Sequence, residues 1–306
     1  MSTVDMGTVA IAPAPSPWKV FARTAGTVWS SGKARIGLVV LGLFILLALF
    51  APLIAPYDAT DNSFERSQDA SPAHWLGTTA AGEDVLSQLL WGSQVSIFVG
   101  LIAGLLSTLI AVLIGLSWGY VRGFGADVVN FIVNLFLVIP GLPLMIVIAA
   151  YLSGGGIPMI IAVVVITGWA WGARVLRSQT QSLRSRDFVT AAVFSGEKPA
   201  RIVFREILPN MTSLIVGNFF GAATAAILAE AGLEFLGLGD SAIVSWGTML
   251  FWAQNSNALL TGQWALLFAP GLCIALLATS LTLINFGVDG ISNPRLRESN
   301  KSRGTK

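Results

Sequence analysis

Six uninterrupted runs of apolar residues constrain the fold of this chain more than any other feature. They cover roughly residues 36–55, 95–119, 128–152, 157–176, 210–232 and 265–287. About twenty apolar residues in an α-helix span the ~30 Å of hydrocarbon in a bilayer. Only 11% of the residues are charged, compared with about 25% in soluble domains. The sequence therefore predicts an all-α fold, a polytopic membrane protein with six transmembrane helices.

The basic residues predict the orientation of these helices. Most of them lie before the first run, between the second and third runs, between the fourth and fifth, or after the sixth. Residues 56–94 instead hold six acidic residues and one base, Arg66, and residues 233–264 hold no base. Because loops rich in Lys and Arg stay in the cytoplasm, we expect both termini and residues 177–209 there. Residues 56–94 and 233–264 are expected outside.

The same pattern divides the chain into four segments. Residues 1–35 form a cytoplasmic N-terminal tail, and residues 36–94 contain the first transmembrane helix and an extracytoplasmic loop. Residues 95–290 form the main transmembrane domain, and residues 291–306 form a cytoplasmic C-terminal tail. In the first tail, apolar residues recur at helical spacing and predict a helix lying in the lipid interface: Trp18, Phe21, Ala25, Val28 and Trp29.

Glycines and prolines inside the runs predict close helix packing and one broken helix. Four pairs of glycines spaced four residues apart let helix backbones approach closely in lipid: Gly100/Gly104, Gly115/Gly119, Gly168/Gly172 and Gly217/Gly221. Pro140, Gly141 and Pro143 interrupt the third run near its middle. The carbonyls that they free need shelter from protein or a water-filled cavity. The bend therefore either lines a path or is a packing kink.

Four residues in or near the runs are candidates for a translocation path: Asn134, Pro140, Asn218 and Glu230. Asparagines inside a membrane also form hydrogen bonds between helices, which is the alternative for Asn134 and Asn218. Glu230 lies at the outer end of the fifth run and does not form a proton relay with other acidic residues.

The sequence holds no catalytic set. A protease of the Ser–His type needs a histidine beside its serine, but the only histidine, His74, lies in an outer segment. The single cysteine, Cys273, gives neither a disulfide framework nor a thiol metal cluster. The stretch GTVWSSGKA at residues 26–34 lacks the spacing and the Ser/Thr of a phosphate loop. We therefore expect no enzyme activity and no bound cofactor or metal, and the formal charge of +2 does not indicate nucleic-acid binding.

Residues 187–210, DFVTAAVFSGEKPARIVFREILPN, differ from the apolar runs on either side. Their apolar residues are spaced as in a short helix with an apolar face. Gly196 can end this helix in a left-handed conformation, and Pro199 prevents it from continuing unchanged. A cytoplasmic helix of this kind either docks in a groove of a soluble partner or lies on anionic lipid.

Three segments resemble permeases of ATP-binding-cassette importers. Residues 187–210 are similar to their cytoplasmic Glu-Ala-Ala loop, with Ala191 and Ala192 at the alanines, Gly196 at the glycine and Leu208–Pro209–Asn210 at the end. Thr190 replaces the family's glutamate, and Glu206 replaces a common histidine. Residues 74–100, which begin HWLGTTAAGEDVLS, and residues 230–250, which begin EAGLEFLGLGD, are similar to segments of the peptide and nickel group, in its second permease subunit.

The resemblance implies the type I importer fold and a machine of several chains in the bacterial inner membrane. A second homologous permease subunit would complete the translocation path as a heterodimer. Two ATPase subunits, or one fused ATPase, would hold ATP and Mg²⁺, and an extracytoplasmic binding protein would deliver the substrate. The residues implied in ATPase docking are Asp187, Phe188, Thr190, Ala191, Ala192, Phe194, Gly196, Glu197, Leu208 and Pro209.

The implied function is ATP-driven import of di- or oligopeptides, coupled to the ATPases through residues 187–210. The alternative within the same machine is import of nickel or another small solute. An alternative from another class is a stand-alone secondary transporter. Such a transporter would call for ionisable residues at mid-membrane and broken helices in corresponding halves, whereas this sequence has one broken run and no internal repeat.

Overall fold

The computed structural model of the protein describes residues 31–152 and 155–292, with side chains described as far as residue 288. Its helices are α1 (Gly32–Ile54), α2 (Val85–Tyr120), α3 (Phe124–Val138), α4 (Gly141–Tyr151), α5 (Gly156–Arg184), α6 (Asp187–Phe194), α7 (Thr212–Phe235), α8 (Trp246–Asn255) and α9 (Ala265–Ser292). The described residues contain one isolated β-bridge and no strand. The predicted all-α fold is confirmed. The interfacial helix predicted around residues 18–29 lies outside the described residues.

The transmembrane helices match the predicted runs, and several of them extend beyond the apolar residues. α1, α2, α5, α9 and the helical run that ends with α7 are each long and apolar enough to cross a membrane. α2 begins ten residues before the second apolar run, because Asp84 accepts a hydrogen bond from the backbone N–H of Ser87 and caps the helix there. The first turns of α2 are helical but polar, so an apolar run does not include them.

α2 is in contact with α1, α5 and α7, and its contacts fix the direction of its neighbours. It runs parallel to α5, since Ser107 meets Gly168 near the middle of both helices and Gly119 meets Thr180 nearer their ends. The contacts with α7 have the opposite order, pairing Gly100 with Ile227, Gly104 with Ala223 and Thr108 with Asn218. α7 is therefore antiparallel to α2.

α3 and α4 form a pair that is bent by 97° and crosses the bundle. The break between them falls at Pro140, as the sequence predicts. α3 begins beside the end of α2, where the indole N–H of Trp118 donates to the carbonyl of Ala126 at 2.8 Å. α4 ends beside the start of α5, where Ala149 packs with Ile160. Because α2 and α5 are parallel, the pair joins opposite ends of the bundle and is a sixth crossing.

The two outermost described ends lie on the same side of the bundle as the loop between α5 and α7. Ala34 at the start of α1 packs with Val288 near the end of α9, and residues close to the start of α7 complete this cluster. The described chain thus enters and leaves the bundle on the side that holds residues 185–211. The basic residues alone predict that this side faces the cytoplasm.

Glycines on α2 allow close approach of its neighbours. A Cβ atom at Gly104 would lie 2.6 Å from the Cα of Ala223, and one at Gly115 would lie 2.8 Å from the carbonyl oxygen of Ala173. Gly172 of α5 is packed as closely, since a Cβ atom there would lie 2.6 Å from the amide oxygen of Asn218, but Gly221 of α7 differs. A Cβ atom at Gly221 would meet only the side-chain amide of Asn285, at 3.6 Å. Close helix packing therefore explains the pairs of α2, while Gly221 borders open space.

Candidate functional site

Residues 185–211 form a hook at one end of the bundle. α6 ends in a Schellman motif, in which the N–H of Glu197 donates to the carbonyl of Ala192 at 3.1 Å and the N–H of Gly196 to that of Val193 at 3.0 Å. Gly196 has φ of 75°, the left-handed conformation predicted for it. A 3.0 Å salt bridge between Glu197 and Arg201 then joins the turn to the next helical segment. The prediction of a short helix ended by Gly196 is confirmed.

α6 has a buried face and an exposed face. Val189 is buried among residues of α5 and of the following turn, and half-buried Ala192 packs against the same cluster. Phe194 is 86% exposed and Phe188 is 38% exposed. Ala192 thus lies on the buried side, in contrast to its predicted place on a face that is free for docking. The reason is helical period, since residues three apart share a face.

The other predicted docking residues also lie in the hook. Asp187, Thr190 and Ala191 are exposed on α6, and Glu197 is half-buried in the turn after it. A short α-turn (Pro199–Arg201) and a π-helical turn (Ile202–Ile207) follow. Leu208 and Pro209 begin a 3₁₀ turn (Leu208–Met211) that leads into α7, with Pro209 exposed and Leu208 half-buried.

A cavity of about 390 Å³ lies between α5 and α7. Its lining consists of small, apolar or amide side chains, namely Ser107, Gly168, Trp171, Gly172, Val175, Leu214, Gly217, Asn218, Gly221, Ala222, Ala225 and Asn285. Gly168 and Trp171 are exposed, so the cavity opens to the surface of the chain. Within the described part of the protein, no charged side chain lines it. The volume falls in the range of about 300–1,000 Å³ that small-molecule sites have.

The four predicted path residues lie in different surroundings. Asn218 lines the cavity and donates a hydrogen bond to the hydroxyl of Thr108 at 3.4 Å. Asn134 lies outside it, on α3, and Pro140 is exposed at the bend between α3 and α4. Glu230 is fully buried, and its carboxylate accepts a hydrogen bond from Ser96 at 3.0 Å. Three turns of α7 separate Glu230 from Asn218 and rotate it towards α2, away from the cavity.

Two arginines of α5 were missed by the sequence-based selection of site residues. Arg174 donates a hydrogen bond to the amide oxygen of Asn134, and Arg177 donates to that of Asn130 at 3.5 Å. The guanidinium of Arg177 also lies 3.9 Å above the ring of Trp118. The available signal was a base, Arg174, inside the fourth apolar run. Such residues mark functional positions in membrane helices.

The opposite end of the bundle is acidic and tightly bonded. His74 Nδ1 lies 2.9 Å from Asp84 Oδ1, and Asp84 also accepts hydrogen bonds from Ser87 at the start of α2. Hydrogen bonds from the hydroxyl and the backbone N–H of Thr60 lower the pKa of Asp58. Asp58 therefore remains ionised and adds to the negative charge of this surface.

Six crossings, a broken third helix and a hook between the fourth and fifth crossings define a membrane protein of the permease class. The chain belongs to the family described as binding-protein-dependent transport system inner membrane component, which matches residues 111–298. Residues 32–72 match the N-terminal transmembrane domain of oligopeptide transport permease C. The resemblance identified from sequence motifs is confirmed.

Several curated relatives align over most of this chain. The oligopeptide transport system permease protein OppC of Bacillus subtilis (strain 168) is 33% identical over 276 residues, which cover 88% of each chain. The dipeptide transport system permease protein DppC of the same organism is 34% identical, over 85% of this chain and 82% of the relative. A di/tripeptide transport system permease protein DppC of Pseudomonas aeruginosa (strain UCBPP-PA14) is 30% identical, over 94% of this chain and 98% of the relative.

Proposed function

We propose that this chain is one of two permease subunits of an ATP-driven importer of di- or oligopeptides. The substrate class is inferred from sequence similarity to three permeases named for oligopeptide, dipeptide and di/tripeptide transport. The similarity extends over at least 82% of the length of each relative. These names favour peptides over the alternative of nickel. Belonging to a binding-protein-dependent family also favours an importer over a stand-alone secondary transporter.

The hook is proposed to dock the ATPase subunits, which hold ATP and Mg²⁺. Phe194 supports this role because a side chain that is 86% exposed gains most from entering a groove in a partner. Docking on anionic lipid is less favoured. Residues 187–197 contain two acids, Asp187 and Glu197, and no base, and the four bases of the hook lie outside α6. Positive charge would therefore hold the flanking segments on such lipid more than α6 itself.

The cavity between α5 and α7 is proposed as this chain's wall of the translocation path. A second, homologous permease subunit would complete the path as a heterodimer, and an extracytoplasmic binding protein would deliver peptide to the acidic end. Small and apolar lining residues suit a path that accepts many side chains. Asn218 offers hydrogen-bonding groups within it.

Affinity purification and reconstitution test this function. The tagged chain, purified from its native membrane in mild detergent, is expected to bring a second permease and the ATPase subunits with it. Proteoliposomes that hold this complex are expected to accumulate a labelled dipeptide only when ATP is present on the hook side and binding protein on the other side. Accumulation by the purified chain alone, driven by a proton or sodium gradient, would instead establish a secondary transporter.

The proposed orientation predicts a labelling pattern in intact cells. Cysteine introduced at Ser67, in the acidic outer segment, is expected to react with a membrane-impermeant maleimide. Cysteine introduced at Ser182, near the end of α5, is expected to react only after the membrane is permeabilised, because the basic loop lies inside. Cys273→Ser serves as the common background. Labelling of position 182 in sealed cells, with position 67 protected, would show that the orientation is the opposite of the one proposed.

A further inference from the structure

Two guanidinium groups lie close together on α5 without a carboxylate partner in the described part of the chain. Arg174 and Arg177 are three residues apart, and each is bonded to an asparagine of α3. The salt bridges formed among the described residues join His74 to Asp84 and Arg201 to Glu197, so neither involves these arginines. Neutral amides orient the two guanidinium groups but leave their positive charge unpaired.

The two arginines differ in how much of each is available to a ligand. Arg177 is half-buried, with its guanidinium over the Trp118 ring and its Nε enclosed without a hydrogen-bond partner. Arg174 is exposed, and its one hydrogen bond, to Asn134, occupies one of five N–H donors. Arg177 therefore has a packing role, whereas Arg174 presents free donors at the surface of α5.

Arg174 lies beside the inner part of the cavity without lining it. It follows Trp171 by one helical turn and precedes Val175, and both of these residues line the cavity. It is the nineteenth residue of α5, about 27 Å along the helix from Gly156 at 1.5 Å per residue. This position is close to the inner boundary of a ~30 Å hydrocarbon layer, so the exposed guanidinium meets water, headgroups or a neighbouring protein surface in place of acyl chains. An exposed guanidinium thus lies beside the uncharged cavity, on the side of α5 that faces α3.

We propose that Arg174 binds the C-terminal carboxylate of the peptide as it passes through the inner part of the path. This inference rests on the proposed function. Peptides of different sequence share only their backbone and their two charged ends, so a permease of broad specificity can recognise those ends without reading side chains. A guanidinium pairs with a carboxylate through two parallel hydrogen bonds, and the bond to Asn134 holds the Arg174 side chain in place.

A comparison in which both Arg174 and the C-terminal carboxylate of the peptide are changed tests this assignment. Uptake of a labelled dipeptide and of its C-terminal amide is measured in proteoliposomes with wild-type chain and with Arg174→Gln. The acid-to-amide ratio of uptake is compared between the wild-type chain and Arg174→Gln. Selection by the binding protein is the same for both chains, so it cancels in this comparison. Arg174→Gln is expected to reduce uptake of the free acid on the order of tenfold and to change uptake of the amide little. Arg174→Lys, which keeps the charge, is expected to recover part of the loss.

Arg177→Gln is the matched control. It removes the same charge one helical turn from Arg174, at a residue that has a packing role. Its loss of uptake should be equal for acid and amide. An equal loss for both peptides in Arg174→Gln would overturn the proposal and assign Arg174 to packing or to a lipid phosphate. Absence of ATP-driven uptake by the wild-type complex, for either peptide, would instead refute the proposed function itself.

A cross-linking measurement covers the case in which the binding protein rejects the amide. In a Cys273→Ser, Trp171→Cys chain that keeps Arg174, a peptide whose last residue is cysteine with a free carboxylate is expected to form a disulfide under oxidising conditions during turnover. A peptide with its thiol at the N-terminus is expected to form little. Equal or reversed yields from the two peptides would overturn the proposal.

Discussion

Phe194→Asp is expected to uncouple ATP hydrolysis from peptide uptake and to weaken binding of the ATPase subunits. Phe194 is 86% exposed, so its own chain gains little from it. If its ring fills a groove in the ATPase, the substitution loses that contact and buries an unpaired carboxylate. Each effect costs about 2 kcal/mol or more, and affinity falls about tenfold for every 1.4 kcal/mol. Pull-down of the ATPase and peptide-stimulated ATP hydrolysis in proteoliposomes measure the loss.

Phe124→Asp supplies a matched control for this variant. Phe124 is 84% exposed and begins α3 at the same end of the bundle, outside the hook. An acid in the first turn of a helix is also compatible with the helix dipole. Phe124→Asp should therefore keep its ATPase subunits and its coupling. Full retention and full coupling in Phe194→Asp would refute docking through α6. Ala192→Asp is a poorer probe, because it also disturbs packing inside the hook.

Gly104→Leu is expected to prevent stable folding of the transmembrane bundle. A Cβ atom at this position would lie 2.6 Å from the Cα and 2.7 Å from the backbone nitrogen of Ala223. Backbone atoms cannot rotate away as a side chain can, so α2 and α7 would have to separate. Overpacking typically costs about 1–3 kcal/mol, and a backbone contact lies at or above the upper end. Monodispersity and thermal stability in detergent, measured by fluorescence-detected size exclusion, provide the readout.

Gly221→Leu places the same side chain on α7 where the structure offers space. The nearest heavy atom to its Cβ would be the amide nitrogen of Asn285 at 3.6 Å, on the edge of the cavity. This variant is expected to fold and assemble with its partners but to reduce peptide uptake, because the leucine occupies the proposed path. Equal stability of the two variants would contradict the packing described for Gly104. Normal uptake by Gly221→Leu would show that the cavity is not part of the translocation path.

The sequence predicted the elements of this fold well because each has a local cause. Apolar length predicted the crossings, proline predicted the break at Pro140, and glycine predicted the end of α6 at Gly196. Rotation of the helices about their axes was not predictable in the same way. A membrane helix is apolar on its lipid side and on its packed side, so the pattern does not reveal which side is buried.

That ambiguity accounts for the differences at the candidate site. Glu230 and Asn218 lie on one helix and were grouped together, but the structure buries Glu230 against α2 and leaves Asn218 in the cavity. Ala192 and Phe194 are two residues apart and face different surroundings. Arg174 gains its significance from Asn134, forty residues earlier in the chain. Each relation depends on a neighbouring helix and has no counterpart in local spacing.

The helical run that begins at Pro199 has a mechanical consequence. It remains helical through the π-helical turn, the 3₁₀ turn and α7 to Phe235, over 37 residues, or about 55 Å. Two irregular turns lie within this stretch, the π-helical turn and the 3₁₀ turn that contains Pro209. A force applied at the hook reaches α7 through these turns, and the far end of α7 carries Leu233 and Phe235 towards the outer surface. Twist that the turns absorb, where the hydrogen-bond register changes, does not reach that end.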